Sequence, residues 1–255
     1  MRHKQAAWIL TGLFLFASNI SVIWGWQQSS HQWELASPTV QYFNSLDKMR
    51  EQGQPTTDIV KAMAISRGDW VADVGAGTGY YSQRLSELVG PNGRVFAEDI
   101  SEPILNILTQ RVKLFNLRNV DVVKGDADDP KLPAASLAAV LIFDAYHHFS
   151  QYQQMVVHIL RALKPGGRLI IADYSIPEHR EQTRTDQLKR HEIDPGLVRA
   201  ELEQVGFTIV NCEDPFVKDR RSRDTSVADN SRTSEVKNRL RAGAIKLMRD
   251  NGAYE

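Results

Sequence analysis

Asp73-Val74-Gly75-Ala76-Gly77-Thr78-Gly79 is the stretch whose reading decides the fold. The apolar run Trp70-Val71-Ala72 leads into it, and Tyr80 to Leu88 follows with helical spacing. The glycines therefore stand at a strand-to-helix turn, the context a nucleotide-binding loop requires. Glycine lets the backbone turn sharply and puts no side chain between the chain and a ligand. The Asp73 carboxylate, two residues ahead, can attract or hydrogen-bond a cationic ligand group. In a dinucleotide fingerprint, Gly-x-Gly-x-x-Gly, the third glycine would fall where Tyr80 stands. The spacing here is Gly-x-Gly-x-Gly, which speaks against an NAD-dependent oxidoreductase.

Outward from the loop, strand and helix patterns alternate. Thr57-Asp58 can cap a helix carrying Ile59, Val60, Ala62, Met63 and Ile65. Arg94 to Ala97 reads as a second strand and Ile104 to Phe115 as a second helix. Val120 to Val123 is a third strand, and Leu137 to Phe143, almost wholly apolar, is a fourth, buried on both faces. Met155, Val156, Ile159, Leu160 and Leu163 recur at helical spacing, and Pro165-Gly166-Gly167 turns the chain into a strand over Arg168 to Ala172. Asp194-Pro195 opens a helix that Gly206 stops, followed by a strand from Phe207. This alternation predicts a Rossmann-like, doubly wound α/β domain with a mostly parallel sheet over residues 56–216. Glu98 and Asp99 follow the second strand, about twenty residues beyond the glycines, where an acid can hold both hydroxyls of a ribose. Asp99 is the better placed if the strand ends at Ala97, and Glu98 the second choice.

With these residues in place the chain resembles the class I methyltransferases that use S-adenosylmethionine. The resemblance runs from about Gln54 to Phe216. It rests on Val71 to Tyr80, Val95 to Ile100, Gly125-Asp126-Ala127, Phe143-Asp144-Ala145-Tyr146-His147-His148-Phe149 and Leu163-Lys164-Pro165-Gly166-Gly167, in the family's order and spacing. The Tyr-His-His stretch is similar to that of a bacterial subgroup. The resemblance implies S-adenosylmethionine as cofactor. It implies that Gly75, Gly77, Thr78 and Gly79 line the methionine part, with Asp73 facing its amino group. It places Asp99 on the ribose, Asp126 and Ala127 at the adenine, and Asp144 beside methionine and substrate. Asp126 and Asp144 can equally cap turns. Leu163 to Gly167 carries no chemistry.

Methyl transfer from a sulfonium is an in-line displacement, so the protein must align nucleophile, methyl and sulfur and exclude water. A base is needed only where the acceptor must lose a proton. His147 and His148, beside Tyr146, are the clustered candidates, because an imidazole titrates near neutrality. His147 is slightly preferred. Tyr146, Tyr80 and Tyr81 could turn ring faces to the sulfonium, although Tyr80 and Tyr81 stand at a helix start where packing is the commoner role. The three residues taken as catalytic are thus His147, His148 and Tyr146, and no metal ligand is expected.

The remaining features set limits. The chain has 255 residues, 42 % of them apolar, which suffices for a buried core and excludes a disordered chain. Lys plus Arg and Asp plus Glu both number 31, so no global charge argues for nucleic acid. A single cysteine, Cys212, excludes a disulfide framework and a multi-cysteine zinc site, and argues against arsenic-methylating relatives. Asp144 is followed by Ala145-Tyr146-His147 rather than Pro-Pro-Tyr, which argues against DNA bases and protein glutamines as acceptors. Residues 1–26 read as a membrane anchor or a signal sequence. Ala6 to Trp26 lacks charge and is long enough to span a bilayer, and no small-x-small cleavage site follows. Arg2 and Lys4 precede it and no basic residue follows until Lys48, a bias that puts the domain outside the cytosol, whereas the implied cofactor is made inside. The side is therefore left open, as is cleavage; the expected location is a bacterial inner membrane. Residues 27–55 read as a connector with a short helix, and 217–255 as a polar, basic tail in which Val236, Leu240, Ile245 and Met248 make a short helix. No seventh strand is legible in that tail. The expected activity is methyl transfer to a small or lipid-like acceptor, and the rival from another class is a non-catalytic module of the same fold.

Overall fold

The computed structural model describes residues 38–53, 56–214 and 242–249, and gives the last of these as backbone. The chain divides into a unit up to Lys48 and a unit from Met49 to Glu255. Helix α1 (Pro38–Gly53) runs across that division. In the first unit the Ser45 hydroxyl donates to the Tyr42 carbonyl at 2.8 Å. The proposed span over residues 6–26 lies outside the described residues. Among the described residues no helix is long and apolar enough to cross a membrane.

The second unit is built on one sheet. Its strands are β1 (Trp70–Val74), β2 (Arg94–Asp99), β3 (Val120–Lys124), β4 (Leu137–Phe143), β5 (Leu163–Tyr174), β6 (Phe207–Glu213) and β7 (Ala242–Arg249). Their order is β3-β2-β1-β4-β5-β7-β6. The first five pair in parallel, and β7 runs antiparallel to both β5 and β6. The doubly wound, mostly parallel sheet is as expected. The tail differs: residues 242–249 form a strand between β5 and β6, not part of a helix, and the seventh strand exists.

Side chains of the parallel strands alternate between two cores, as the period of two requires. Val74, Val140, Ile142, Leu169 and Ile171 pack with Met155, Val156 and Ile159 of α5 (Tyr152–Ala162) and Val198 and Leu202 of α7 (Pro195–Val205). Val71, Val95, Ala97, Leu141 and Ile170 face the opposite side. There they meet Ile59 and Met63 of α2 (Thr56–Met63), Tyr80 and Leu85 of α3 (Tyr80–Val89) and Leu108 of α4 (Glu102–Leu114). Each such aliphatic side chain, fully buried, contributes about 1.5–3 kcal/mol of transfer free energy. Local chemistry fixes the helix ends: the Asp194 carboxylate accepts from the backbone N–H groups of Gly196 and Leu197, and Gly206 closes α7 in the left-handed region. A short helix α6 (Arg184–Lys189), unforeseen in the sequence, is capped by the Thr183 hydroxyl. The strand order reverses between β1 and β4, so the crevice at their carboxyl ends is where ligands of open α/β sheets bind.

Candidate functional site

Four loops meet at that crevice. The glycine loop leaves β1 with Gly75 at φ +71°, a conformation other residues adopt only with strain. A Cβ on Gly75 would stand 2.5 Å from the Ala145 Cβ. Glycine at 75 therefore lets the β1 loop lie directly against the β4 loop that carries Tyr146 and His147. Gly77 has no heavy atom within 4 Å of where its Cβ would be, so its backbone borders open space.

The carboxylates close around this loop. Asp99 Oδ2 accepts from Gly77 N–H at 3.1 Å and its Oδ1 from Ser101 N–H at 2.9 Å. Glu98 Oε2 accepts from Gly75 N–H at 3.3 Å, while its Oε1 is buried without a partner. A side chain on Gly125, in the loop after β3, would run into Glu98 Oε1, so the two loops close on each other there. Burial pushes the Glu98 carboxyl up to about 8 against the Gly75 hydrogen bond, with the charges of Asp99, Asp73 and Asp129 adding to the rise. Asp73 is buried and accepts the Ser82 hydroxyl of α3 at 2.6 Å. Burial raises it to about 6, opposed by the Ser82 bonds and the charge of Arg50. Asp144, at φ +51°, is likewise raised to about 6 by burial and by Asp173, against His147 and Arg50. Such crowding leaves a shortage of positive charge that a cationic ligand would meet.

Residues 71–167 match the family model of the methyltransferase domain. The demethylmenaquinone methyltransferase of Listeria welshimeri is 32 % identical over 144 residues, 56 % of this chain and 61 % of that protein. That of Geobacillus stearothermophilus is 31 % identical over 134 residues, 52 % of this chain and 57 % of its own. The chain thus spans about three-fifths of the length of the curated relatives it matches. A crystal structure of an S-adenosylmethionine-dependent methyltransferase from Aquifex aeolicus shares the fold, with TM-score 0.62 at 22 % identity, covering 82 % of this chain and 97 % of that one. Residues 71–167 thus carry a methyltransferase domain. S-adenosylmethionine is named for that Aquifex structure, and the residues present here fit that group. Thr78 Oγ1 and Glu98 Oε1 are buried polar atoms without partners, Gly77 borders open space, and the surrounding acids suit a nucleoside that carries a sulfonium and an ammonium.

The methyltransferase domain places its histidines beside this cradle. His147 lies in a single 3-10 turn after β4 and is 2 % exposed. Its Nδ1 stands 2.8 Å from Asp173 Oδ1, and its backbone N–H donates to Asp173 Oδ2 at 3.1 Å. Asp173 ends β5, the neighbouring strand, so the pairing of β4 with β5 sets the contact. Burial lowers the His147 pKa, but the hydrogen bond and charge of Asp173, with Asp144 behind them, outweigh it and leave the imidazole above its ordinary value. Burial, His147 and His191 together hold His148 below its own. His147 Nε2 is buried and has no partner.

Not every expected residue converges. Tyr146 does not face the cleft: it is fully buried, and its hydroxyl donates to Glu201 Oε2 at 2.7 Å. Glu201 also accepts from Arg184 Nε at 2.7 Å, and burial together with Glu201 raises the phenol far out of its usual range. A phenol so buried and so engaged supports the His147 turn from within the core. The Asp126 carboxylate is held 2.9 Å from Lys131 Nζ at the surface, and Ala127 beside it is exposed. Tyr80 and Tyr81 pack in the core as their helix-start position suggested. Asp173, Ser82, Arg50 and His191 were missed by sequence reasoning. Asp173, Arg50 and His191 reach the site from elements distant in the chain and Ser82 from the helix that follows the glycine loop; only the position of Asp173 at the end of a buried strand offered any signal.

Proposed function

We propose that the chain transfers a methyl group from S-adenosylmethionine to a small or lipid-like acceptor. The observation that carries this is the seating of the Gly75 loop directly on Ala145, which sets the cofactor cradle beside the His147–Asp173 pair. Gly75, Gly77, Thr78 and Gly79 would line the methionine part and Asp73 its ammonium. Asp99, with Glu98 next to it, would take the ribose, the Asp126–Ala127 loop the adenine, and Asp144 the side facing sulfur and acceptor. Bound there, the cofactor supplies an already activated methyl. The chain then has to align, exclude water and manage one proton. Asp173 holds Nδ1–H of His147 and so presents Nε2, at the imidazole cluster, to an acceptor O–H or N–H. His148 lies against it, with ring centroids 4.0 Å apart.

Among acceptors, the reduced, quinol form of a quinone of the type in the names of the Listeria and Geobacillus relatives, whose ring hydroxyl is such an O–H, is the first to try. A tether at residues 6–26 would keep the domain beside such a lipid-like molecule at the bacterial inner membrane. The test of the reading is calorimetric titration of the full chain with S-adenosylhomocysteine. Micromolar binding, about 8 kcal/mol, weakened at least tenfold in a folded Asp99→Ala variant, supports it. No binding by folded wild type overturns it and leaves the non-catalytic module.

A further inference from the structure

Three imidazoles meet at one place beside the cradle. His147 and His148 come from the turn after β4 and His191 from the turn between α6 and α7. One ring nitrogen from each lies within 4.8 Å of the others. The rings of His147 and His191 stand edge to face at 5.4 Å, and those of His148 and His191 at 5.1 Å.

Several observations show that this place is built. His147 Nδ1 is taken by Asp173, so the free lone pair is on Nε2, and that atom is buried with no partner. A buried nitrogen with no partner is costly to leave unmet, a cost that a ligand would relieve. His191 stands at φ +57°, in the left-handed region. The turn that carries it is tied down on both sides. Gln187, buried, donates to the carbonyls of Arg180 and Gln182 and accepts from Asp194 N–H, and Ile193 N–H donates to the carbonyl of Tyr174, next to Asp173. The imidazoles of His148 and His191 hydrogen-bond to nothing among the described residues.

We propose that His147, His148 and His191 bind one divalent transition-metal cation. Three neutral imidazoles suit zinc and its neighbours in the first transition row better than magnesium or calcium, which prefer oxygen. Asp173 stands behind His147 as the carboxylate that fixes a metal-bound imidazole. A site with three protein ligands keeps a position open. Beside the cradle, that position receives the oxygen of a hydroxylic or enolic acceptor. Coordination then releases the O–H proton to solvent and leaves the oxygen as the nucleophile, with the C–S electron pair departing onto sulfur as the new O–C bond forms. With the cation bound, His147 Nε2 is a ligand and does not itself take the proton. This last step rests on the methyltransferase reading; the cation site does not.

The test is titration of the metal-stripped full chain with Co(II), read by its visible ligand-field absorption. One equivalent per chain, displaced by Zn(II), is the expected result. His148→Gln and His191→Asn are expected to weaken it at least tenfold while melting and S-adenosylhomocysteine binding stay as in wild type; Asn tolerates the left-handed backbone at 191. The proposal is overturned if folded wild type takes up no stoichiometric Co(II), or if the folded variant carrying both His148→Gln and His191→Asn binds it unchanged. S-adenosylhomocysteine binding, measured alongside, reports on the methyltransferase reading separately. If the site binds Co(II) but turnover survives full chelation, the metal-activated acceptor step falls and the free His147 base stands.

Discussion

Glu98 is a carboxyl group held where it resists ionising, and the sign of its effect on stability follows. Its ordinary value is 4.5 and its folded value about 8. Below the first, folded and unfolded chains both hold the proton; between the two, only the folded chain does. Stability therefore falls as pH rises through that window. Glu98→Gln keeps an acceptor for Gly75 N–H and removes the titration. It is expected to raise the melting temperature at pH 8 and to change little at pH 4.5; each kcal/mol corresponds to roughly 2–4 °C in a chain of this size. Differential scanning calorimetry at the two pH values decides it, and equal shifts at both would refute it. Asp173→Asn is the matching change across the crevice. It leaves the shape and alters which ring nitrogen of His147 carries the proton. Turnover is expected to fall on the order of 100-fold or more, while S-adenosylhomocysteine affinity is unchanged. A loss of both in parallel would place Asp173 in cofactor binding instead.

The residues legible in the sequence were those whose spacing along one loop carries the information: Asp73, the glycines, Asp99, and His147 after a buried strand. Asp173, Ser82 and His191 were not, because what defines them is a partner on another element. Tyr146 was misjudged for the same reason, since nothing near it in the chain announces Glu201 on α7.

At the scale of elements, the parallel strands could be read because each is a short apolar run between turn residues. β7 could not. Ala242-Gly243-Ala244-Ile245-Lys246-Leu247-Met248-Arg249 has no sustained apolar run, and Val236, Leu240, Ile245 and Met248 fall by chance at a helical spacing. Its conformation is set by two neighbours: Ile245 pairs with Ile171 on one side and Cys212 on the other. A proline in so flanked a strand removes a ladder bond and breaks the backbone fit. Ile245→Pro is expected to cost at least the lost ladder bond, about 0.5–1.5 kcal/mol, read as a lowered urea midpoint; an unchanged midpoint would mean that β7 contributes nothing to the sheet. Gly75→Ala tests the contact of two loops. The left-handed backbone alone costs roughly 1–2 kcal/mol, and the methyl group overlaps Ala145. Lower melting together with weaker S-adenosylhomocysteine binding is expected, and loss of only the first would show that the cradle tolerates the displaced loop.

For the whole molecule the open matter is where it works. The apolar run of residues 6–26 argues for a membrane tether. The full chain is expected to stay with membranes through an alkaline carbonate wash, and a variant lacking residues 1–26 to come away; release of both would remove the tether from the proposal. A reporter fused after Glu255 would then tell on which side the domain stands.

The place of β7 in the sheet also has a consequence in time. The parallel neighbour of β5, β4, is synthesised before it, but the partner of its other edge arrives only after residues 175–241. Until then Leu169 to Tyr174 presents unpaired backbone flanked by apolar side chains, the sort of edge that recruits another chain. Refolding from denaturant should therefore be limited by this one distant closure. Its yield should fall with protein concentration, and a peptide of residues 242–249 added in trans should restore it.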